Sequence, residues 1–272
     1  MAIDFDRAAG DYIYQSAGAI PMPPHSSMME CWFQLDPWGT PISVTSGHLM
    51  GLYEMGGNLH MMALMVEEDS TVFPTLYYLR FMIVNAAGTF SASAALTYVA
   101  NKWHHALGVW QGGGVQNIYC FLDGVLGGTT SASTGALAGA TFYAFGADFR
   151  VWPAANIFNG RIAEAAAWAT GPPATMWYVP SMCKGLNPID RDPFTYGPQL
   201  LRSWTQMHNT TVHDIMRPAA ASAAWTVNGA VTYADHPPVF EAARNEHYPR
   251  PPLAVATDRY YGVSMTPNMM IG

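Results

Sequence analysis

An antiparallel β-sandwich is the fold class this sequence predicts, and three observations carry it. Apolar and branched residues recur in short strand-length runs, with no long helical period between them over the first 169 or so residues. Gly, Ser, Asn and Pro punctuate the gaps between those runs at intervals of roughly eight to fifteen residues. An Asp123-Gly124 dipeptide sits between two apolar runs, where positive φ is needed for a tight hairpin. Sustained strands joined by turns argue a two-sheet sandwich.

The elements follow in order. Met29-Glu30-Cys31-Trp32-Phe33-Gln34-Leu35 alternates, which puts Cys31, Phe33 and Leu35 on one face of a strand. Residues 75–84 (TLYYLRFMIV) are aromatic and branched, and strands are also expected at 96–100 and 103–111 (WHHALGVWQ). Residues 117–126 (NIYCFLDGVL) form the predicted hairpin, with further strands at 141–151 and 160–168. Thr170-Gly171-Pro172-Pro173 reads as a helix start, Ala174 to Tyr178 as one or two helical turns, and Gly185 as the stop. Beyond residue 185 the texture changes, because half of the 20 prolines fall there. That density argues against a second regular sandwich. Strand-like pieces remain at 199–207 and at 224–233, the latter turning at Asn228-Gly229. The predicted organisation is a sandwich over 1–185, returning strands over 186–235 packed on or beside it, and an extended Pro-rich C-terminal arm over 236–272.

Composition narrows the function classes. The chain has 272 residues, 50% of them hydrophobic and only 11% charged, with a net charge of −7. A disordered chain would show the opposite balance. No Lys/Arg cluster exists, so no nucleic-acid partner is expected. No run of 18 apolar residues and no basic-then-apolar leader appear, so neither a membrane partner nor a targeting segment is expected. Cys31, Cys120 and Cys183 are too scattered for a disulfide framework or a zinc site and read as small buried thiols of a cytosolically folded protein. Low charge combined with Ser, Thr, Asn and Gly suits a component covered by partners, equally a neutral extracellular sandwich.

The series AGDYI (9–13), MECWFQLDPW (29–38), WHHALGVWQ (103–111), IYCFLDGVLGG (118–128) and FNGRIAEAAAWATGPPATM (158–176) resembles the laminin G-like, concanavalin A-like lectin/glucanase superfamily. The resemblance implies a jelly-roll sandwich with one short helix. The later stretches LLRSWTQM and AWTVNGAVTYADHPPV look like the tail of a phage-associated subgroup, which implies a virion context. On that basis the expected role is non-enzymatic: a capsid decoration or cement protein at a virion surface, made in the host cytoplasm, with virion proteins and further copies of itself as partners. The arm residues Arg244, His247, Tyr248, Arg250, Tyr260, Tyr261, Met269 and Ile271 are the expected partner contacts. The alternatives are a lectin-like carbohydrate-binding module and a tail- or fibre-associated receptor-binding protein. For a glycan, the candidate stacking aromatics are Trp38, Tyr53 and Trp110, which are expected to be exposed.

Each chemical motif also has a structural reading. His104 and His105 are neighbours on a strand, so they point to opposite faces and read as structural. Glucanases of this fold carry E-x-D-x-x-E or E-x-D-x-E on a strand; Glu67 and Asp69 fit two places, but Thr71 or Val72 occupies the third. Glu67-Glu68-Asp69 is therefore expected to be a solvated loop or edge. His208, His213 and Asp214 fit no ligand spacing. Gly112-Gly113-Gly114 lacks a following G-K-[ST] and reads as a hairpin connection, and the Asn209-Thr210-Thr211 sequon is expected to be idle. No cofactor is expected. Some members of the superfamily hold Ca²⁺, and Asp4, Asp6, Asp11 and Glu164 are the oxygens available for it here.

Overall fold

The computed structural model describes residues 2–16, 27–36, 45–54, 60–69, 76–111, 117–131, 142–150, 153–168, 201–205 and 225–234. These carry fifteen strands. The first five are β1 (Ala2–Phe5), β2 (Tyr12–Ser16), β3 (Ser27–Leu35), β4 (Thr45–Tyr53) and β5 (Met61–Asp69). The next five are β6 (Leu76–Asn85), β7 (Gly88–Leu96), β8 (Trp103–Gln111), β9 (Asn117–Leu122) and β10 (Val125–Ser131). The last are β11 (Phe142–Phe145), β12 (Gly160–Trp168), β13 (Leu201–Thr205), β14 (Thr226–Asn228) and β15 (Thr232–Ala234). No helix occurs among the described residues, and none there could cross a membrane. The short helix expected at 174–178 lies outside them.

Two antiparallel sheets face each other. The eight-stranded sheet runs β10-β9-β8-β3-β12-β1-β15, with β13 also on β12; the seven-stranded sheet runs β14-β2-β11-β4-β5-β6-β7. Alternation sends Cys31, Phe33 and Leu35 inward, where they meet Leu64, Phe81 and Phe145 of the other sheet in one apolar core. Cys31 and Cys120 are buried free thiols, and burial pushes the Cys120 thiol up to about 12. The Asp123-Gly124 hairpin forms as its residues require, with φ of 52° and 80° joining β9 to β10.

Both lateral seams are closed by specific residues. On one side β10 lies against β7, where Gly127 meets Ala94 and Gly128 meets the Ser93 backbone; side chains there would overlap. Thr130 Oγ1 donates to the Ser91 carbonyl at 2.8 Å. On the other side a single hairpin feeds both sheets: β14 pairs with β2 of the seven-stranded sheet and β15 with β1 of the eight-stranded one. Trp225, just before β14, packs on Tyr143 and Phe145. The Asp11 carboxylate accepts from the Asp6 amide at 3.1 Å and from the Ala230 amide at 2.9 Å. Asn228 Nδ2 donates to the Gly10 carbonyl at 2.8 Å. The N-terminal turn and the C-terminal hairpin are thus tied across more than 200 residues of chain.

Three expectations are corrected. Residues 97–101 form a turn region, with Asn101 at φ 58°, rather than a strand over 96–100. The strand expected over 141–151 stops at Phe145, because Gly146 (φ 84°) turns the chain. Glu67-Glu68-Asp69 is neither loop nor edge: it ends β5, which has β4 on one side and β6 on the other, and Glu68 is buried.

Candidate functional site

The outer face of the seven-stranded sheet, turned away from the core, carries a second apolar cluster. It exists because residues 146–150 and 153–158 fold back over that face. Gly146 reverses the chain, Asp148 and Ala155 exchange backbone hydrogen bonds at 2.8 and 3.1 Å, and the Phe158 amide returns to the Gly146 carbonyl at 2.8 Å. Asn156, at φ 50°, accepts from the His48 amide at 3.0 Å through its carbonyl and so fastens the loop to β4. This geometry lays Phe149 onto the sheet, fully buried. Its ring meets Tyr12 edge-on at 5.2 Å, Tyr14 at 4.8 Å, Phe142 at 5.7 Å and Tyr53 at 6.2 Å.

Tyr14 and Phe142 are the outermost rings of this group. Both are half-buried, 5.8 Å apart and steeply inclined. The exposed Thr226 lies beside Tyr14 in the ladder, and the exposed Asn228 beside Tyr12. Next to Phe149 stands a polar group. Arg150 donates to Asp148 through Nε and Nη2, at 2.7 Å for the latter, and Asn156 Nδ2 donates to the same carboxylate at 3.4 Å. Burial opposes ionisation of Asp148, but the Arg150 hydrogen bonds and the charges of His48 and Arg150 outweigh it and hold the carboxyl below its usual range. Partly exposed aromatic rings beside fixed carboxylate, guanidinium and amide groups form the chemistry that grips a polyhydroxylated ring, with apolar C–H faces on π surfaces and hydroxyls on polar heads.

Beneath the loop, His48 is fully buried, with Nδ1 2.9 Å from the Tyr53 hydroxyl and Nε2 3.8 Å from Asp148. Burial lowers its pKa to about 4, Asp148 pulling it up and Arg150 down. An unfolded histidine titrates near 6.5. Below that value the unfolded chain takes up a proton that the native site refuses. Stability is therefore full above about pH 6.5 and lost as pH falls toward 4, by about 3 kcal/mol in all. Asp148, with its lowered pKa, acts in the same direction in stronger acid. Urea unfolding at pH 7 and pH 4.5 should show this loss, and His48→Gln should flatten it; an equal slope in the variant would assign the acid sensitivity elsewhere.

The predicted site residues fall differently. Tyr53 and Trp110 are each 0% exposed, so the expectation that they are open to a sugar is corrected: Tyr53 packs beneath Phe149 and Trp110 points between the sheets. Trp38, the arm residues Arg244 to Ile271, and His208, His213 and Asp214 lie outside the described residues. His104 and His105 take opposite faces. His104 stacks on Phe33 and bonds Asp123 at 2.8 Å, while His105 sits 3.1 Å from the buried Glu30, against Trp32. Glu67 and Asp69 share a face, and Glu67 is paired with Arg80 at 2.7 Å. Burial raises the Glu67 pKa and Arg80 opposes the rise. The four oxygens available for calcium have separate work. Asp4 pairs with Arg161, Asp6 accepts from the Ala8 amide, Asp11 ties the hairpin, and Glu164 sits at φ 48° where the β12 ladder shifts register. Among the described residues no three His, Cys, Asp or Glu side chains gather as a metal-ligating group.

The two antiparallel sheets packed face to face define a sandwich of the lectin-like fold class. Residues 9–171 match the concanavalin A-like lectin/glucanases superfamily, and the chain belongs to it. Among solved structures it is similar to a heptameric SAP-like pentraxin from Limulus polyphemus, at 11% identity and a TM-score of 0.52, over 84% of this chain and 94% of that one. It is also similar to a Bacteroides ovatus protein assigned to carbohydrate binding, at 15% identity and a TM-score of 0.53, over 87% of this chain and 60% of that one. At these identities the likeness is one of fold. No curated protein matches the chain.

Proposed function

We propose that this chain is a non-enzymatic carbohydrate-binding module that takes its glycan on the outer face of the seven-stranded sheet. The observation that carries the reading is the half-buried Tyr14–Phe142 pair, seated on Phe149 and flanked by Asp148, Arg150 and Asn156. Binding rather than turnover is supported by the missing acid partner: Glu67 and Asp69 fit two places of the glucanase pattern, and Thr71 or Val72 occupies the third. The fold likeness to the Bacteroides ovatus protein supports the same class of ligand. The capsid-decoration role expected from the sequence rests on the likeness of residues 200–207 and 224–239 to a phage-associated subgroup and on the arm over 236–272, which lies outside the described residues.

A glycan array followed by calorimetry on the best ligand tests the proposal. The Tyr14→Ala, Phe142→Ala double variant should bind about tenfold or more weakly, as loss of two stacking rings at roughly 0.5–1.5 kcal/mol each requires. Circular dichroism checks that the variant is folded. A folded variant with undiminished affinity would move the site elsewhere, and an array without signal would remove the proposal.

A further inference from the structure

The sequence contains two Asn-Gly pairs, Asn159-Gly160 and Asn228-Gly229, and the fold treats them differently. In such a pair the glycine nitrogen can attack the asparagine side-chain amide, because glycine has no side chain to hinder the approach. Asn159-Gly160 is locked. The Asn159 side-chain carbonyl accepts from the Arg7 amide at 3.2 Å, and its backbone carbonyl accepts from the Asp36 amide at 3.1 Å. Gly160 is buried and opens β12, where it pairs with Leu35 of β3 on one side and Phe5 of β1 on the other. A Cβ at Gly160 would overlap the Gln34 carbonyl, so the backbone there has no room to turn.

Asn228-Gly229 stands in the opposite environment. Both residues are exposed, at the turn between β14 and β15, which are three residues each and lie at the rims of their sheets. Among the described residues no carbonyl takes the Gly229 N–H. The Asn228 carboxamide is restrained by its bond to the Gly10 carbonyl, and the turn by the Ala230 amide on Asp11. Short ladders at a rim open before long central ones, so this corner samples reactive geometries that the β12 pair does not reach.

We propose that Asn228-Gly229 is a self-modification site, at which the chain converts its own asparagine and loosens the corner that closes both sheets. The Gly229 nitrogen gives up its proton to solvent base and attacks the Asn228 Cγ. The bond from Cγ to Nδ2 breaks and ammonia leaves, which closes a succinimide ring. Water then opens the ring at either carbonyl, giving aspartate or isoaspartate; nothing is oxidised or reduced. Each product lacks the Nδ2 donor. Aspartate sets a carboxylate oxygen against the Gly10 carbonyl and adds a negative charge beside Asp11. Isoaspartate also lengthens the main chain of the turn by one methylene, so β14 on β2 and β15 on β1 no longer keep register together.

Ageing of the full chain in mildly alkaline buffer at body temperature, followed by peptide mapping with electron-transfer fragmentation, tests this. Residue 228 should become a mixture of aspartate and isoaspartate at least about tenfold faster than residue 159, because each ~1.4 kcal/mol needed to open the β12 ladders slows the buried pair tenfold. In urea the two pairs should react at similar rates, which assigns the difference to the fold. The aged chain and the Asn228→Asp variant should both show a thermal midpoint lower by roughly 2–4 °C, as loss of one hydrogen bond gives in a domain of about this size. A native chain that converts residue 159 as fast as residue 228 overturns the proposal, as does one that keeps Asn228 intact while the urea-treated chain reacts. An unchanged midpoint in fully converted material would overturn the loosening.

Discussion

A chain ending at residue 185 is expected to lose cooperative unfolding, whereas one ending at Asp235 keeps it. The superfamily match closes at residue 171, yet the sandwich does not. Without β14 and β15 each sheet loses its edge partner on that side, the Tyr143 and Phe145 rings lose Trp225, and the Asp11 carboxylate loses the Ala230 amide. A point version isolates the tie. Asp11→Ala removes two hydrogen bonds to a charged acceptor and is expected to cost about 3 kcal/mol, at roughly 1.5 kcal/mol for each. Differential scanning calorimetry reads both. A chain ending at 185 that unfolds in one sharp transition near the full-length midpoint would show that the hairpin only decorates a finished sandwich.

The second large effect is expected from one methyl group. Gly108 stands on the inner face of β8, and a Cβ there would overlap the ring of Phe81 across the sandwich. Phe81 is fully buried in the core, so its ring cannot swing to solvent. Gly108→Ala is therefore expected to destabilise by roughly 3 kcal/mol, the upper part of the overpacking range. The diagnostic measurement is a double-mutant cycle in urea with Phe81→Leu. Relief of strain predicts that the pair together costs less than the sum of the singles. Additive costs would mean that the clash is absorbed elsewhere.

What was legible in the sequence follows the physics of each element. Strands β8 and β12 match their sequence-predicted bounds, because apolar runs there end cleanly at polar or turn residues. The β9–β10 and β14–β15 turns were readable for a local reason, the positive-φ tolerance of Asp-Gly and Asn-Gly. Strands β4 and β5 were not. Gly47 and Gly51 dilute the first, and the second opens Met-Met-Ala-Leu-Met, residues with no preference for strands. Their identity comes from pairing with neighbours rather than from local propensity.

The candidate site was illegible for a deeper reason. Tyr14, Phe142, Phe149 and Thr226 come from β2, β11, the following loop and β14, and only the ladders bring them together. The local signal that existed was Gly146-Ala147-Asp148-Phe149-Arg150, where a turn residue and a carboxylate–guanidinium pair interrupt an aromatic run. Tyr53 and Trp110 failed as candidates because an aromatic residue in a strand looks the same in sequence whether it faces solvent, a covering loop or the opposite sheet.

The hairpin that serves both sheets also sets where tension would enter the molecule. Any pull transmitted from residue 235 meets three paired residues of β15 on β1 before it reaches the longer ladders behind them. Under load this corner would peel first and act as a mechanical fuse, yielding while the central strands stay intact.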